Sequence, residues 1–142
     1  MVVKRVLVTG AGGFLGAEVV KHLLNDGFVV YGLARNKYPE IEEKGVQFFI
    51  CDLSNSEDVQ KLDLSGIDAV IHTAALAGVW GDKDQFHFIN YQGTVNLVDK
   101  CIQDNINTFI YTSSPSVVFG NEDIINGDES IPYPKKYYTD YA

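Results

Sequence analysis

The first sixteen residues constrain the fold of this chain more than any other stretch. A short apolar run at residues 6–9 (VLVT) leads into a glycine-rich turn at 10–16 (GAGGFLG), and a helical pattern follows at 17–25. Strand, glycine-rich turn and helix in this order is the context in which such spacing predicts a dinucleotide-binding turn. A glycine-rich βα turn that binds no ligand is the alternative.

The residues of this turn have separate predicted roles. Gly10 permits the tight turn off the strand, Gly13 lets the backbone approach a pyrophosphate, and Gly16 lets the helix pack against the sheet. The first-turn amide groups of the helix, around Phe14 and Leu15, then face the phosphates, and the helix dipole favours their negative charge. All five residues are predicted cofactor contacts.

Composition narrows the possible partners of the chain. Its 142 residues suffice for one domain with a core, and we treat residues 1–142 as that domain. A net charge of −8 without a basic patch argues against nucleic acid or an anionic membrane. No apolar run approaches the length of a membrane span, and a strand follows the N-terminus directly, so we expect no signal peptide and a cytoplasmic protein. Cys51 and Cys101 lack metal-ligand spacing; we expect them to be reduced packing residues, and we expect no metal site.

Strands alternate with helices along the whole chain. After the first strand, further strands are predicted at residues 27–33, 46–50, 67–72 and 108–112. Helices are predicted at 55–61 and, in one long stretch, at 82–104, whereas 38–44 reads as a polar loop. This alternation predicts an α/β fold of the Rossmann type: a doubly wound parallel sheet with strand order 3-2-1-4-5. A dinucleotide would lie at the carboxyl ends of the strands, between strands 1 and 4.

The end of the second strand bears on which dinucleotide is bound. A carboxylate often occupies this place and binds the ribose hydroxyls of NAD, but here Arg35 and Lys37 follow the strand. A guanidinium suits the 2′-phosphate of NADP. We therefore expect NADP, with NAD as the alternative. The alternative for Arg35 and Lys37 is that both are ordinary solvated loop charges.

Three further sites carry predicted roles. Asp52 and Leu53, after the third strand, are both predicted cofactor contacts. Asp52 has two open interpretations: it hydrogen-bonds the adenine amino group, or it starts the following helix as a cap. The small residues Thr73, Ala74 and Ala75 let the backbone pass close to a cofactor, whereas the preceding His72 is more typical of a core or loop histidine than of a catalyst. In the long helix, Asn90 and Asn96 are amides that need a structural or functional reason.

Several of these stretches resemble one enzyme family. Residues 9–16 (TGAGGFLG) resemble the TGxxGxxG signature of extended short-chain dehydrogenases/reductases, and 72–75 (HTAA) resemble that family's strand-4 motif. Residues 90–96 (NYQGTVN) are similar to its NxxGTxN helix motif, and 111–120 match its strand-5 segment. Residues 77–81 (AGVWG) and 128–134 (DESIPYP) look most like the 3β-hydroxysteroid dehydrogenase-like branch. The resemblance covers essentially the whole chain.

The resemblance implies a set of catalytic residues. Ser114, with Ser113 as the less favoured candidate, would hydrogen-bond the substrate oxygen; Ser113 is also expected near the cofactor. Tyr141 aligns with the tyrosine that passes a proton to or from that oxygen. Asn90 aligns with an asparagine that supports a proton-relay water, and a surface asparagine is the alternative.

The sequence departs from the family pattern after Tyr141. The family places a lysine four residues later, where its charge lowers the pKa of the tyrosine, but position 145 does not exist here. We therefore expect an N-terminal part of a longer enzyme, truncated before its C-terminal substrate lobe and close to inactive by itself.

The expected activity of the longer enzyme is NAD(P)-dependent hydride transfer to or from a sterol-like or other small alcohol or ketone. Sugar-nucleotide epimerases and dehydratases, and a dinucleotide-binding module without chemistry, are the alternatives. A small-molecule substrate is the expected partner, and the resemblance allows a homodimer of the longer enzyme.

Overall fold

The computed structural model describes residues 4–78, 80–120 and 123–141. Val79, within the AGVWG motif, and the terminal Ala142 lie outside the described residues. A five-stranded sheet occupies the centre, with the order β3-β2-β1-β4-β5 and every pair parallel. The strands are β1 Arg5–Thr9, β2 Val29–Ala34, β3 Gln47–Ile50, β4 Ala69–His72 and β5 Thr108–Tyr111. The predicted Rossmann-type topology and strand order are confirmed.

Helices connect consecutive strands, as a parallel sheet requires. They are α1 Phe14–Asn25, α2 Pro39–Glu42, α3 Ser56–Gln60, α4 Lys83–Phe86, a π-helix His87–Gln92 and α5 Gly93–Gln103. A 3-10 turn, Pro115–Val118, follows β5. Among the described residues, no helix is both long enough and apolar enough to cross a membrane.

Two apolar layers hold the helices to the sheet. Successive side chains of a strand point to opposite faces, so neighbouring residues of β1 enter different layers. Val6 and Val8 pack with Val20 of α1, while Leu7 packs with Leu97 of α5. β1 is thus covered on both faces and paired on both edges, which fixes its carboxyl end in the middle of the molecule.

Several predicted elements differ in the structure. α1 begins at Phe14 instead of residue 17, and β4 begins at Ala69 instead of residue 67. Residues 82–104 form α4, the π-helix and α5 in succession instead of one continuous α-helix. The predicted polar loop 38–44 contains α2, which has a proline at its first helical position, where the missing N–H costs nothing. The second strand begins at Val29, because Gly27 (φ +82°) and the bond from Phe28 N to Leu23 O still belong to the end of α1.

Candidate functional site

The chain turns sharply between β1 and α1. Gly10 has a φ of +67°, and a Cβ atom there would lie 2.9 Å from the backbone nitrogen of Ala74. A Cβ atom at Gly16 would overlap the carbonyl oxygen of Gly10. Both positions therefore exclude a side chain, and the turn brings the start of α1 against the residues that follow β4.

The N-terminus of α1 opens at this turn. Gly13 is the N-cap, and no side chain caps the helix. Phe14 in the first turn is fully exposed, and Leu15 is half exposed. The first-turn amide groups are consequently available to an anion, with the positive end of the helix dipole behind them.

A cleft of about 340 Å³ lies beside the turn, at the carboxyl ends of β1 to β4. Predicted cofactor contacts line much of it: Gly10, Gly13, Arg35, Asp52, Leu53, Thr73, Ala74 and Ala75. Phe14, Leu15 and Gly16 form the adjacent first turn of α1 and do not line the cleft. Ser113 follows β5 and does not line it either.

The chemistry of the cleft fits a dinucleotide. It combines a wall made of backbone and small side chains with unpaired helix amides, one guanidinium and one carboxylate. Arg35 immediately follows β2, is exposed and lines the cleft, whereas Lys37 does not. Arg35, the predicted ligand of the 2′-phosphate, therefore lines the cleft, and Lys37 does not.

The structure tests one of the two interpretations of Asp52, its role as a helix cap. Its carboxylate accepts hydrogen bonds from the backbone N–H of Ser54 at 3.0 Å and from the Ser54 hydroxyl at 2.7 Å. The N-cap of α3 is Asn55, whose side chain accepts from the amides of Glu57 and Asp58. The helix-cap interpretation of Asp52 is therefore wrong, and contact with adenine stays a prediction.

Tyr38 belongs to the cleft but was missed from the sequence. Its ring lies over Gly12, where a Cβ atom would overlap the outer ring carbons, and it packs against Phe48 with ring centroids 6.0 Å apart. It also lines the cleft together with Arg35. The close approach depends on the conformation of the 34–38 connection, for which the sequence holds no periodic signal.

Asn90 lies in the π-helix and is not a free surface amide. Its Oδ1 accepts from the backbone N–H of Leu76 at 2.7 Å, and its Nδ2 donates to the Leu76 carbonyl at 3.0 Å. Leu76 lines the cleft. This two-point contact supplies a reason for an amide in mid-helix, and support of a relay water by Asn90 stays a prediction.

Asn96 also has a structural reason. It is buried, and its Nδ2 donates to the carbonyl of Leu53 at 2.8 Å while its Oδ1 accepts from Gln92. Leu53 lines the cleft, so this amide ties α5 to the loop after β3. Without such partners a buried amide would cost stability.

Ser114 and Tyr141 do not meet in one cleft. Ser114 caps the 3-10 turn and contacts the Ser116 hydroxyl at 2.9 Å. Tyr141 packs edge-on against Phe86, with centroids 6.1 Å apart, and lines a second cleft of about 520 Å³. Asn90 lines that second cleft and Ser114 does not. The structure thus brings together two of the three predicted catalytic residues.

The cysteines and acidic residues form no further site in the described ranges. Burial raises the pKa of the Cys51 and Cys101 thiols to about 11, so both are protonated at neutral pH. Within residues 4–78, 80–120 and 123–141, no three His, Cys, Asp or Glu side chains cluster as metal ligands would.

Comparison with known proteins identifies relatives for almost all of the chain. It is 42% identical over 140 residues to a 2-alkyl-3-oxoalkanoate reductase of Shewanella oneidensis, covering 99% of this chain and 36% of that protein. It is 38% identical over 145 residues to a 3-beta-hydroxysteroid dehydrogenase of Mycolicibacterium neoaurum, covering 97% and 39%. The chain thus spans about two fifths of the length of these curated relatives.

Solved structures agree with the fold. The UDP-glucose 4-epimerase of Thermus thermophilus in complex with NAD superimposes with a TM-score of 0.81 at 30% identity, over 96% of this chain and 46% of that one. A UDP-Glc/GlcNAc 4-epimerase of Campylobacter jejuni reaches a TM-score of 0.85 at 23% identity, over 97% and 44%, and supports the fold alone.

A family model decides the assignment. The model of the 3-beta hydroxysteroid dehydrogenase/isomerase family matches residues 7–142, from the middle of β1 to the end of the chain. The matched region includes the glycine turn, the residues that line the cleft, and the side-chain amides of Asn90 and Asn96. The chain therefore belongs to the 3-beta hydroxysteroid dehydrogenase/isomerase family, a branch of the extended short-chain dehydrogenases/reductases.

Proposed function

We propose that the cleft binds NADP in preference to NAD, and that the chain is the cofactor-binding part of an oxidoreductase. The observation that carries the proposal is the uncapped N-terminus of α1 opening beside a cleft lined by Gly10, Gly13 and Arg35. Amides and a helix dipole neutralise a pyrophosphate. A relative of known structure, the Thermus thermophilus epimerase, contains NAD on the same fold.

Individual residues have distinct proposed contacts with the dinucleotide. The Arg35 guanidinium pairs with the 2′-phosphate of the adenosine ribose, and the Asp52 carboxylate accepts from the adenine amino group. Thr73, Ala74 and Ala75 let the dinucleotide pass close to the backbone after β4. The nicotinamide supplies the two-electron redox chemistry.

We further propose that the substrate is a small molecule with a hydroxyl or ketone, sterol-like or otherwise. The names of two sequence relatives, a 3-oxoalkanoate reductase and a 3-hydroxysteroid dehydrogenase, support this substrate class. Ser114 would hydrogen-bond the substrate oxygen, and the Tyr141 phenol would pass a proton to it or take one from it.

The binding half of the proposal is tested by titrating the 142-residue chain with NADPH and NADH in a calorimeter. Gly13→Val should weaken binding of both by at least about tenfold, or 1.4 kcal/mol, since its side chain would stand between the helix amides and the phosphates. Lys44→Ala, an exposed change after α2, is the control and should bind as the wild type does. Unchanged affinity of the folded valine variant would refute the site.

The reaction is tested in the whole protein that contains this chain. Tyr141→Phe should reduce turnover by about 10²–10⁴-fold while leaving dinucleotide affinity nearly intact, because only the hydroxyl is lost. Tyr138→Phe, which removes the hydroxyl of an exposed phenol three residues earlier, is the control and should keep full turnover. NADPH absorbance is followed with 3-oxoacyl compounds and 3-hydroxysteroids; equal turnover of both variants would contradict the role of Tyr141.

A second reaction class is favoured by the structural comparison. The epimerase of Thermus thermophilus is 30% identical, and its reaction type interconverts two sugar nucleotides. An epimerase would convert UDP-sugars with no net change in NAD(P)H absorbance, whereas a dehydrogenase or reductase changes that absorbance in proportion to product. Chromatographic detection of an epimeric UDP-sugar, run beside the absorbance assay, therefore separates the two classes.

A further inference from the structure

His72 is buried at the end of β4, between two threonines from different elements. Its Nδ1 lies 2.6 Å from the Thr9 hydroxyl at the end of β1, and its Nε2 lies 2.9 Å from the Thr94 hydroxyl on α5. The ring is 2% exposed and also faces the rings of Phe109 and Tyr111. The histidine expected to be a core residue is therefore also a polar link across the sheet.

The hydrogen bonds around the ring determine its tautomer. The Thr94 hydroxyl donates its only proton to the carbonyl of Asn90 at 2.6 Å, so toward His72 it must accept. Nε2 therefore carries the proton. On the other side, the Thr9 oxygen accepts from the amide of Ala74 at 3.2 Å, which leaves its proton for Nδ1. The Thr94 contact therefore requires a proton on Nε2, and in the neutral ring the Thr9 hydroxyl completes the arrangement by donating to Nδ1.

This assignment creates one chain of hydrogen bonds with a single direction. It runs from the Ala74 amide through Thr9, His72 and Thr94 to the carbonyl of Asn90. Burial favours the neutral ring and lowers the pKa of His72 to about 4, so the chain persists at neutral pH. Ala74 lines the cleft at one end, and Asn90 at the other end holds the cleft residue Leu76 at two points.

We propose that His72, held as the Nε2–H tautomer, is a positioning residue that fixes residues 73–76 of the cleft by linking the end of β1 to the π-helix. Without the ring, Thr9 and Thr94 would each lose a partner in the interior. The segment 73–76 would still contact the end of β1 at Ala74 and the π-helix at Leu76. However, hydrogen bonds through His72 would no longer connect these two elements to each other. The consequence for dinucleotide affinity rests on the function proposed above, whereas the link itself does not.

The first test needs no variant and no dinucleotide. In the 142-residue chain with ¹⁵N-labelled histidine, two-bond ¹H–¹⁵N correlation spectra distinguish the two neutral tautomers. We expect a pure Nε2–H pattern for His72 from pH 8 to pH 5.5, while the exposed His22 and His87 serve as internal references. An Nδ1–H pattern or a tautomer mixture at His72 would overturn the proposal.

The second test breaks the link at Thr94, which lines the second cleft beside Asn90 but not the cleft proposed for the dinucleotide. Thr94→Val keeps the shape and removes the hydroxyl, whereas Thr94→Ser keeps the hydroxyl and is the matched control. The valine variant should shift the amide resonances of Ala74 and Leu76 and speed their hydrogen exchange by about tenfold or more, equivalent to 1.4 kcal/mol, and the serine variant should not. Shifts confined to α5 and the π-helix would refute the link.

Dinucleotide titration adds a readout that separates the two proposals. Thr94→Val should lower NADPH affinity by about threefold to tenfold, with Thr94→Ser close to wild type. If the wild type binds neither NADPH nor NADH, the proposed function fails, and the resonances of Ala74 and Leu76 still decide the role of His72. If the wild type binds and both variants bind equally well, positioning by His72 is refuted.

Discussion

The ring of Tyr38 lies directly over Gly12, so that a Cβ atom at position 12 would overlap the outer carbons of the phenol. Tyr38 is held there by Phe48, with ring centroids 6.0 Å apart. The glycine turn is therefore closed on one side by an aromatic side chain from the β2–α2 connection. The absence of a side chain at Gly12 allows this close approach of the Tyr38 ring, although no role was predicted for Gly12 from the sequence.

Gly12→Ala should destabilise the chain by about 1–3 kcal/mol, since the new methyl group must displace the Tyr38 ring. In a Tyr38→Ala background the same alanine should cost much less, so the two changes should be strongly non-additive. Urea denaturation of the four variants in this cycle measures the coupling. Tyr133→Ala, an exposed aromatic elsewhere, is the control background, and an equal cost of Gly12→Ala in all backgrounds would contradict the contact.

Arg35→Ala should selectively weaken NADPH binding by about tenfold to a hundredfold, because a hydrogen bond to a charged group contributes roughly 1.5–3 kcal/mol. NADH lacks the 2′-phosphate and should bind the variant as it binds the wild type.

Lys37→Ala is the matched control for Arg35, because it removes an exposed cation two residues away that does not line the cleft. It should change neither dissociation constant. Calorimetry yields the NADPH-to-NADH affinity ratio for the three proteins. If that ratio is the same in the Arg35 variant, Arg35 does not bind the phosphate and the preference for NADP is wrong.

The strand order could be predicted because it depends on a local pattern repeated along the chain. Each strand is followed by helical sequence, and right-handed crossovers from a central first strand permit few arrangements. The roles of Gly10 and Gly16 could also be predicted from the sequence. A turn of this type brings backbone atoms so close to both positions that a side chain would clash with them. Eight of the predicted cofactor contacts line one cleft because they follow parallel strands, and the carboxyl ends of these strands lie at the same edge of the sheet.

The π-helix could not be predicted from the sequence. Residues 82–104 have a continuous helical pattern, but in the structure Asn90 is bound to Leu76 and its carbonyl accepts from Thr94. A π-turn needs an outside contact to offset its poorer geometry, and such segments often occur at functional sites. The contact joins residues 14 positions apart, and no local pattern encodes it.

Capping was ambiguous for a different reason. Asp52, Ser54 and Asn55 are all good caps, and their order does not show which one precedes the first helical residue. The structure assigns the cap to Asn55 and uses Asp52 in a turn with Ser54. By contrast, Pro39 was a usable indication of α2, because proline is common at the first position of a helix. The polar residues around it suggested a loop instead.

The stability of the chain should depend on pH through His72. Burial lowers its folded-state pKa to about 4, whereas an unfolded histidine titrates near 6.5. Between these values the unfolded chain binds a proton that the folded chain does not, so the free energy of unfolding falls as the pH drops below 6.5. The loss should reach about 2 kcal/mol between pH 7.5 and pH 5 and about 3 kcal/mol near pH 4.

The window from pH 7.5 to pH 5 isolates this effect. The carboxylates whose pKa values are lowered by hydrogen bonds, Asp63 and Asp68 among them, lose their contribution only at lower pH. His87→Gln, which removes an exposed histidine, is the matched control for the loss of one imidazole. His72→Gln, where it folds, should remove most of the slope of stability against pH although it lowers stability at pH 7.5. In the wild type, ring resonances of His72 that titrate near pH 6.5 would contradict this prediction, because they would show that the ring is not held neutral in the folded chain.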